Sequence, residues 1–359
     1  MIIKKNLHLK NIKRYRVSEG RDLEKGLRLD RNEKVDNWPK DFIKTVLASK
    51  PDGFFSMYPE ITPLYTKLAN HLRVSEKQLL ITSGIDGSIK NLFSVLLEEG
   101  DKIGVFSPTY LMYEIYSEIF KIDFFPLTYS TDYKLKQDEL DKFLSLNPKI
   151  LFVPNPNQPI ESSLTLNELK ELASKCKKKN CFLVIDEAYF MLGADTGITL
   201  LKDFNNIIIL RTFSKAFGVP SIRAGFTIST EENMEVISKM RIAHELSSTS
   251  IAIAEYLLDN FSIVENYCEK LKKSRDQVLN ELKNIGIEVR GKHGNYLLIT
   301  FENEEIAKNV VSFLKKKLIY VKGPYKGVWK RCIGVTIGIE EKMKPFISAM
   351  KEVKKSILI

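Results

Sequence analysis

The sequence predicts an α/β fold in which helices cover a large, mostly parallel sheet, with a smaller α+β domain beside it. The chain has 359 residues, enough for about two domains with a sizeable core. Between about residue 60 and about residue 260, short β-branched runs alternate with longer helical stretches. Strands that alternate with helices form parallel sheets covered on both faces. After about residue 265 the rhythm changes to long helices and isolated extended pieces.

The first region contains a series of apolar runs that predict strands. They lie at residues 78–82, 102–106, 123–127, 149–154, 181–185, 206–210 and 224–228. Helical patterns separate them, for example at residues 87–98, 111–120 and 165–178. These elements together predict a large domain at residues 36–262.

The second region predicts the smaller domain. Helical patterns lie at residues 264–284 and 342–355 with another helix between them, and extended pieces lie at 286–289, 296–301 and 332–337. The basic, irregular N-terminal segment is expected to pack on this region or on a partner subunit. The smaller domain therefore comprises residues 1–35 and 263–359. No linker rich in Pro, Gly or Ser marks the boundary, which follows from the rhythm alone.

The composition is typical of a globular protein, with 44% hydrophobic and 28% charged residues. An aromatic share of 10% is too high for a disordered tail, and four cysteines are too few for a scaffold built on disulfides. The 55 Lys and Arg residues exceed the 45 Asp and Glu residues, which gives a net charge of +10. Such a surplus attracts phosphorylated or acidic partners.

The cysteines, the histidines and the N-terminus bear on metal content and location. Cys176, Cys181, Cys268 and Cys332 match no zinc-binding spacing, so we expect free thiols in a reducing compartment. The four histidines are not grouped as a metal site requires. No apolar run has the length of a secretory signal or a membrane span. We therefore expect a cytoplasmic protein without a metal.

Candidate binding residues lie next to several predicted strands, mostly after their carboxyl ends, where open parallel sheets bind ligands. They are Gly84, Ile85 and Asp86 after the run at 78–82, Asn157 and Gln158 after 149–154, Asp186 and Tyr189 after 181–185, Thr212, Ser214 and Lys215 after 206–210, and Arg223 before 224–228. Each has an ordinary structural explanation. A strand-end Asp is commonly a helix N-cap, and most lysines are solvated.

Together these residues supply the separate groups that pyridoxal 5′-phosphate requires. Its aldehyde bonds to a lysine amine whose charged form is disfavoured, which fits Lys215 after a buried strand. Its pyridine nitrogen stays protonated beside a buried carboxylate such as Asp186. Tyr189 can donate to its phenolate oxygen. Its phosphate needs an arginine, hydroxyls and a helix N-terminus, which Arg223, Thr212, Ser214 and the backbone amides of residues 84–86 provide.

The segment at residues 212–225 resembles the lysine segment of fold-type I pyridoxal-phosphate enzymes, particularly the histidinol-phosphate aminotransferase family. Further motifs of that family occur in the same order along most of the chain. They are Asn32-Glu33, Tyr58-Pro59-Glu60, residues 83–87, Pro108-Thr109-Tyr110, residues 186–189 and Gly294-Asn295-Tyr296. Several motifs in order are more specific than any single one.

The resemblance implies a role for each matching residue. Lys215 would bond to the cofactor and carry the proton between the substrate Cα and C4′, Asp186 would pair with the pyridinium, and Tyr189 would contact O3′. Tyr110 would stack on the ring, and Arg223 and Ser214 would hold the phosphate. Tyr58 would reach the cofactor phosphate of a neighbouring subunit, which implies a homodimer with shared sites. Core packing is the alternative for Tyr110 and Tyr58.

Two departures from the family pattern affect the expected site. The family asparagine that contacts O3′ aligns with Gln158, preceded by Asn157, and the sequence leaves open which amide serves. A family arginine that grips the substrate carboxylate or phosphate falls at Gly334, and a second one falls at Lys322. The candidate substrate residues are therefore Arg31, Asn32, Lys322, Lys330 and Arg331, each with a solvated surface charge or a structural role as the alternative.

The leading interpretation is a transaminase that works in two half-reactions. An amino acid, with glutamate as the plausible donor, leaves its amino group on the cofactor, and a small oxo acceptor, phosphorylated or not, removes it. The same groups would also serve a decarboxylase of the threonine-phosphate decarboxylase type, because the sequence does not fix which Cα bond is oriented for cleavage. A third alternative is a non-enzymatic basic protein that binds nucleic acid, although no nucleic-acid-binding motif is present.

Overall fold

The structure, a computed structural model, describes residues 7–12, 25–130 and 133–357. The strands of the described residues are β1 (Leu27–Leu29), β2 (Leu79–Thr82), β3 (Lys102–Ser107), β4 (Asp123–Thr128), β5 (Ile150–Pro154), β6 (Phe182–Asp186), β7 (Ile207–Thr212), β8 (Gly225–Ile228), β9 (Glu288–Arg290), β10 (Tyr296–Thr300), β11 (Ile319–Val321) and β12 (Cys332–Thr336).

The helices connect and cover these strands. In chain order they are α1 (Phe42–Leu47), α2 (Thr62–Leu72), α3 (Gly84–Leu96), α4 (Met112–Phe120), α5 (Gln137–Ser145), α6 (Leu166–Lys177), α7 (Glu231–Ile237), α8 (Ser248–Asp259), α9 (Phe261–Asn284), α10 (Glu304–Lys316) and α11 (Glu340–Ser356). Short 3₁₀ turns lie between several of them, including Leu7–Asn11 near the N-terminus.

The largest feature is a seven-stranded sheet with the order β2-β8-β7-β6-β5-β3-β4. The five strands from β7 to β4 run parallel, whereas β8 is antiparallel to both β7 and β2. All six residues of β7 are buried, as expected for a strand covered on both faces. The predicted α/β fold with a mostly parallel sheet is confirmed.

The strand and helix patterns of the sequence correspond closely to these elements. The helix predicted at 87–98 begins earlier, at Gly84, which takes a positive φ of 70° that glycine adopts without strain. Helix α6 shows why the sequence pattern predicts a helix: it has a capping signal at its start and apolar residues on one face. Its N-cap Thr165 forms a reciprocal capping box with Glu168, and its apolar face buries Leu169, Leu172, Ala173 and Cys176.

Two smaller sheets lie in the C-terminal half of the chain. In the first, β10 pairs antiparallel with both β9 and β12. In the second, β1 of the N-terminal segment pairs parallel with β11. The division into residues 36–262 and residues 1–35 with 263–359 stays a prediction. The pairing of β1 with β11 agrees with it, and the predicted boundary falls in the first turn of α9. The predicted N-terminal segment extends beyond the described residues at 1–6 and 13–24.

Within the described residues, no helix has both the length and the apolar composition needed to cross a membrane.

Candidate active site

A cavity of about 670 Å³ opens at the carboxyl edge of the large sheet, beyond β5, β6 and β7, a size typical of small-molecule sites. Most of the site residues predicted from the sequence line it. They are Arg31, Asn32, Ile85, Asp86, Tyr110, Gln158, Asp186, Tyr189, Thr212, Ser214, Lys215, Arg223 and Lys322. A larger groove beside His293 holds none of the predicted site residues, and the chemistry therefore points to the smaller cavity.

Lys215 lies three residues beyond Thr212, the last residue of β7. Its Nζ donates to the backbone carbonyls of Arg31 at 3.0 Å and Asn32 at 2.9 Å. Burial lowers the pKa of Lys215 to about 8, with Glu33 opposing the shift and Arg223 adding to it. A substantial fraction of this amine is therefore neutral near physiological pH, which a nucleophilic lysine requires.

Asp186 ends β6 with its carboxyl group buried. Tyr113 donates its hydroxyl to Oδ2 at 2.6 Å, and the backbone N–H of Ala188 donates to Oδ1 at 3.0 Å. Burial raises the pKa of Asp186 to about 6, although these two hydrogen bonds oppose the shift. No lysine or arginine within the ranges that the structure describes forms an ion pair with this carboxylate. Asp186 is therefore suited to a cationic group brought by a ligand.

The N-terminus of α3 and Arg223 form a cradle for an anion. Ile85 and Asp86 line the cavity at the first turn of the helix, where backbone N–H groups are free to bind negative charge. A Cβ on Gly84 would lie 2.7 Å from a terminal nitrogen of Arg223, so a larger residue would push the guanidinium out of its present position. Arg223 also donates to Ser214 Oγ at 3.4 Å.

Thr212 and Ser214 add hydroxyl groups beside this cradle. Thr212 Oγ1 lies 2.9 Å from Ser214 Oγ and accepts from the backbone N–H of Ser214 at 3.1 Å. Both side chains line the cavity next to Arg223. Guanidinium, hydroxyl and helix N–H groups at one place are the donors that a phosphate prefers.

Two tyrosines face the cavity in different ways. Tyr189 is buried and accepts a hydrogen bond at its hydroxyl from Asn32 Nδ2 at 2.8 Å. Tyr110 follows β3, leaves much of its ring exposed, and donates its hydroxyl to Asp86 Oδ1 at 3.1 Å. Tyr110 therefore presents an accessible ring face, whereas Tyr189 presents a hydroxyl group that a hydrogen bond from Asn32 fixes in place.

The two candidate amides lie in different environments. Gln158 lines the cavity. Asn157 is fully buried outside the cavity lining, and its Nδ2 donates to the backbone carbonyl of Pro108 at 2.9 Å. The structure therefore brings Gln158, and not Asn157, to the other predicted groups.

The predicted substrate residues divide in the same way. Arg31, Asn32 and Lys322 line the cavity. Lys330 and Arg331 do not, and Lys330 instead forms an ion pair with Glu304 at 3.3 Å. The structure therefore does not bring these two side chains to the cavity, and they lie between a 3₁₀ turn at residues 327–329 and the start of β12.

Gly334 has no room for a side chain. It exchanges two backbone hydrogen bonds with Lys322, and a Cβ at this position would collide with the hydroxyl of Tyr325. Tyr325 in turn accepts from Gln158 Nε2 at 3.3 Å. Tyr325 and Gln158 therefore take the space beside Gly334 that a larger residue would need.

Tyr58 lies outside the cavity of its own chain. Its side chain is 83% exposed and its ring stacks on His244. Three further residues belong to the site and were not identified from the sequence: Asp30 and Glu33 line the cavity, and Tyr113 binds Asp186. The signal for Tyr113 is its position three residues after Tyr110, in the first turn of α4.

The cavity fits pyridoxal 5′-phosphate. The buried carboxylate of Asp186 suits a protonated pyridine nitrogen, the amine of Lys215 suits an aldehyde, and the glycine-lined cradle of Arg223 suits a phosphate. All three lie around one cavity.

Comparisons with known proteins agree with this geometry. The sequence profile of the family described as Aminotransferase class I and II matches residues 27–350. The chain is 28% identical over 351 residues to the histidinol-phosphate aminotransferase of Clostridium novyi, covering 96% of each chain. It is 31% identical over 307 residues to the enzyme of that name from Buchnera aphidicola subsp. Schizaphis graminum, covering 83% of this chain and 85% of the relative.

A solved structure shares the fold. It is histidinol-phosphate aminotransferase from Sinorhizobium meliloti in complex with pyridoxal 5′-phosphate, with a TM-score of 0.82, 22% sequence identity and 92% of both chains covered.

Proposed function

Because the chain belongs to the class I and II aminotransferases, we propose that it moves the amino group of an amino acid, with glutamate as the first candidate, to a small oxo compound of the histidinol-phosphate type. Membership confirms the predicted fold-type I architecture, the aminotransferase activity and the dependence on pyridoxal 5′-phosphate. It excludes the non-enzymatic nucleic-acid binder that the net charge had left open.

One observation carries the proposal. The Lys215 amine and the Asp186 carboxylate line the same cavity, and burial shifts the pKa of each toward its neutral form, to about 8 and about 6. Groups perturbed in this way within one cavity are typical of a catalytic site. An ordinary solvated lysine and a helix-capping aspartate would not meet there.

When bound, pyridoxal 5′-phosphate supplies an aldehyde that condenses with amines and a protonated ring that takes up the electron pair released at the substrate Cα. Asp186 holds the proton on the pyridine nitrogen by opposing its charge. Arg223, Ser214, Thr212 and the N-terminus of α3 bind the phosphate. Tyr189 would donate to the phenolic oxygen, Gln158 would supply the amide beside it, and the exposed ring of Tyr110 would cover the cofactor ring.

Lys215 has two tasks. It would be the amine that holds the cofactor aldehyde, and when the amine is free, the carbonyls of Arg31 and Asn32 hold it in the cavity. The neutral amine removes the proton from the substrate Cα and returns it at C4′. The lowered pKa of Lys215 allows both steps near neutral pH, because a fully protonated amine can neither attack nor accept a proton.

Two cationic side chains that the cofactor does not need support an anionic substrate, beside acidic residues that also line the cavity. Lys322 and Arg31 line it in addition to Lys215 and Arg223. Lys322 offers a single ammonium where a guanidinium would offer a bidentate fork. We infer that Lys322 and Arg31 bind the carboxylate or phosphate of the substrate. Asn32 contributes to the site through its contacts with Tyr189 and Lys215.

A screen of amino donors and oxo acceptors tests the proposal, read from the visible absorbance of the cofactor-loaded protein. Glutamate is expected to convert the absorbance of the aldehyde form into that of the amine form, and the correct oxo acceptor is expected to restore it. Lys215→Ala is the control that should not cycle. Release of carbon dioxide without that conversion would contradict transamination and favour the decarboxylase alternative.

A homodimer with shared sites is part of the proposal. Phe55, Met57, Tyr58 and Leu111 are all more than half exposed, and apolar groups at such density mark an interface. We infer that a second copy of the chain covers them and that Tyr58 reaches its cofactor phosphate. Light scattering is expected to give a dimer, and Tyr58→Phe is expected to weaken cofactor binding without separating the subunits. A fully active monomer would contradict this part.

A further inference from the structure

Asn32 connects the smaller antiparallel sheet to two residues of the cavity. Its backbone carbonyl accepts from Lys215 Nζ at 2.9 Å and from Asn295 Nδ2 at 3.2 Å. Its backbone N–H donates to Thr336 Oγ1 at 2.8 Å, and its side chain reaches the Tyr189 hydroxyl at 2.8 Å. Asn32 takes a φ of +52°, in the left-handed region that asparagine tolerates better than most residues.

The hydrogen bonds fix which end of the Asn32 amide faces Tyr189. Thr336 Oγ1 accepts the backbone N–H of Asn32, and its single proton is directed to Asn32 Oδ1, 3.1 Å away. Oδ1 is therefore the accepting end of the amide. Nδ2 is left to donate to the hydroxyl oxygen of Tyr189.

This arrangement also fixes the direction of the Tyr189 proton. The hydroxyl oxygen receives a proton from Asn32, so its own proton has to point elsewhere, and Tyr189 lines the cavity. Burial raises the pKa of Tyr189, which keeps the hydroxyl protonated. Asn32 and Thr336 are also buried, at 7% and 1% exposure. Reversing this chain of donors in a low-dielectric interior would leave unpaired polar groups.

We propose that Thr336 and Asn32 are positioning residues that turn the hydroxyl proton of Tyr189 into the cavity, where the phenolic oxygen of the bound cofactor accepts it. The inference rests on the proposed function for the role of Tyr189. The hydrogen bonds that run from Thr336 through Asn32 to Tyr189 form a relay. Because Thr336 ends β12 in the smaller sheet, this relay couples that sheet to the cofactor.

Four variants separate the parts of the relay. Thr336→Val keeps the shape and removes the hydroxyl, whereas Thr336→Ser keeps the hydroxyl. Asn32→Gly removes the amide and tolerates the positive φ, and Tyr189→Phe removes the hydroxyl that the relay directs. Asn147→Gly is the matched control, because Asn147 has the same φ of 52° but lies exposed, away from the cavity.

The readout is the pKa at which the visible absorbance of the cofactor-loaded protein titrates, measured alongside kcat and KM. When the phenolic oxygen of the cofactor loses its hydrogen-bond donor, its negative charge holds the titrating proton more tightly, and the pKa of the absorbance change rises. Tyr189→Phe is expected to raise this pKa by about one unit, and Thr336→Val and Asn32→Gly by about half a unit. The same two variants should lower kcat by roughly fivefold at nearly constant KM. Thr336→Ser and Asn147→Gly should titrate like the wild type.

Combination with Tyr189→Phe completes the test. If the relay acts through Tyr189, adding Asn32→Gly to Tyr189→Phe causes no further shift. If the pKa shifts of the two substitutions add, this inference alone is overturned. The same holds if the pKa is unchanged in Thr336→Val and Asn32→Gly but rises in Tyr189→Phe. An unchanged pKa in Tyr189→Phe would overturn the proposed role of Tyr189 as well. Thermal unfolding checks each fold, and the Thr336 and Asn32 variants test the relay independently of each other.

Discussion

The two ends of the cavity are built differently. At the cofactor end, defined here by Asp186, Lys215, Arg223 and the N-terminus of α3, the groups lie next to the ends of strands of the large sheet or at a helix terminus. Asp186 and Arg223 there form hydrogen bonds with Tyr113 and Ser214. At the substrate end, defined by Arg31, Lys322 and Gln158, the cations are exposed side chains of the N-terminal segment and of the region between β11 and β12. The cofactor end is therefore attached to the large sheet, whereas the cations of the substrate end lie on segments outside that sheet.

The largest expected effect lies at the cofactor end. Lys215→Ala should lower kcat by about 10³-fold or more, because the variant loses both the nucleophile and the proton carrier. Cofactor should still bind through Arg223 and the α3 N-terminus, which fluorescence titration would measure. Turnover within tenfold of the wild type would break the comparison.

Asp186→Asn should lower kcat by about 10²-fold, because the variant keeps the shape of the side chain but cannot oppose the charge of a protonated ring nitrogen. Steady-state kinetics with saturating cofactor measure this. Asp195→Asn is the matched control, since Asp195 is exposed and caps the backbone N–H of Leu166 away from the cavity. Equal losses in both variants would contradict the role of Asp186.

The same substitution should stabilise the cofactor-free protein at neutral pH. Folding raises the pKa of Asp186 from 3.8 to about 6, so the folded state binds the proton more tightly and ionisation is penalised by about 3 kcal/mol. This cost is fully present above about pH 6 and disappears below about pH 4, where both states are protonated. Chemical denaturation should show Asp186→Asn more stable than the wild type at pH 8 and equal to it near pH 4. Equal stability at pH 8 would contradict the raised pKa.

The smallest expected effect lies at the substrate end. Lys322→Ala should raise KM for an anionic substrate by about tenfold and change the cofactor absorbance little, because one partly solvated charge contact is lost. Lys330→Ala is the control, since Lys330 pairs with Glu304 outside the cavity. If both variants behave alike, Lys322 does not bind the substrate, and the two ends differ less than the structure indicates.

The same contrast explains what the sequence could predict. Buried strands leave continuous apolar runs, and the residues after them, such as Asp186 and Lys215, necessarily meet at one edge of a parallel sheet. The antiparallel direction of β8 and the pairing of the three-residue strands β1 and β11 depend on contacts between distant segments. No local pattern encodes them.

The substrate end depends almost entirely on such distant contacts. Asn32 meets Thr336 across 304 positions of the chain, and Gln158 meets Tyr325 across 167. The sequence identified Lys322 by alignment with a family arginine but also placed Lys330 and Arg331 in the site, because closeness along the chain does not show which side chains point into a cavity. It left the choice between Asn157 and Gln158 open for the same reason.

The central claim is that the cofactor bonds to the amine of Lys215. Borohydride reduction of the protein loaded with pyridoxal 5′-phosphate, followed by proteolysis and mass spectrometry, tests it directly. One modified peptide is expected, carrying the reduced cofactor on Lys215. A modification on another lysine, or none in protein that retains full activity, would contradict it.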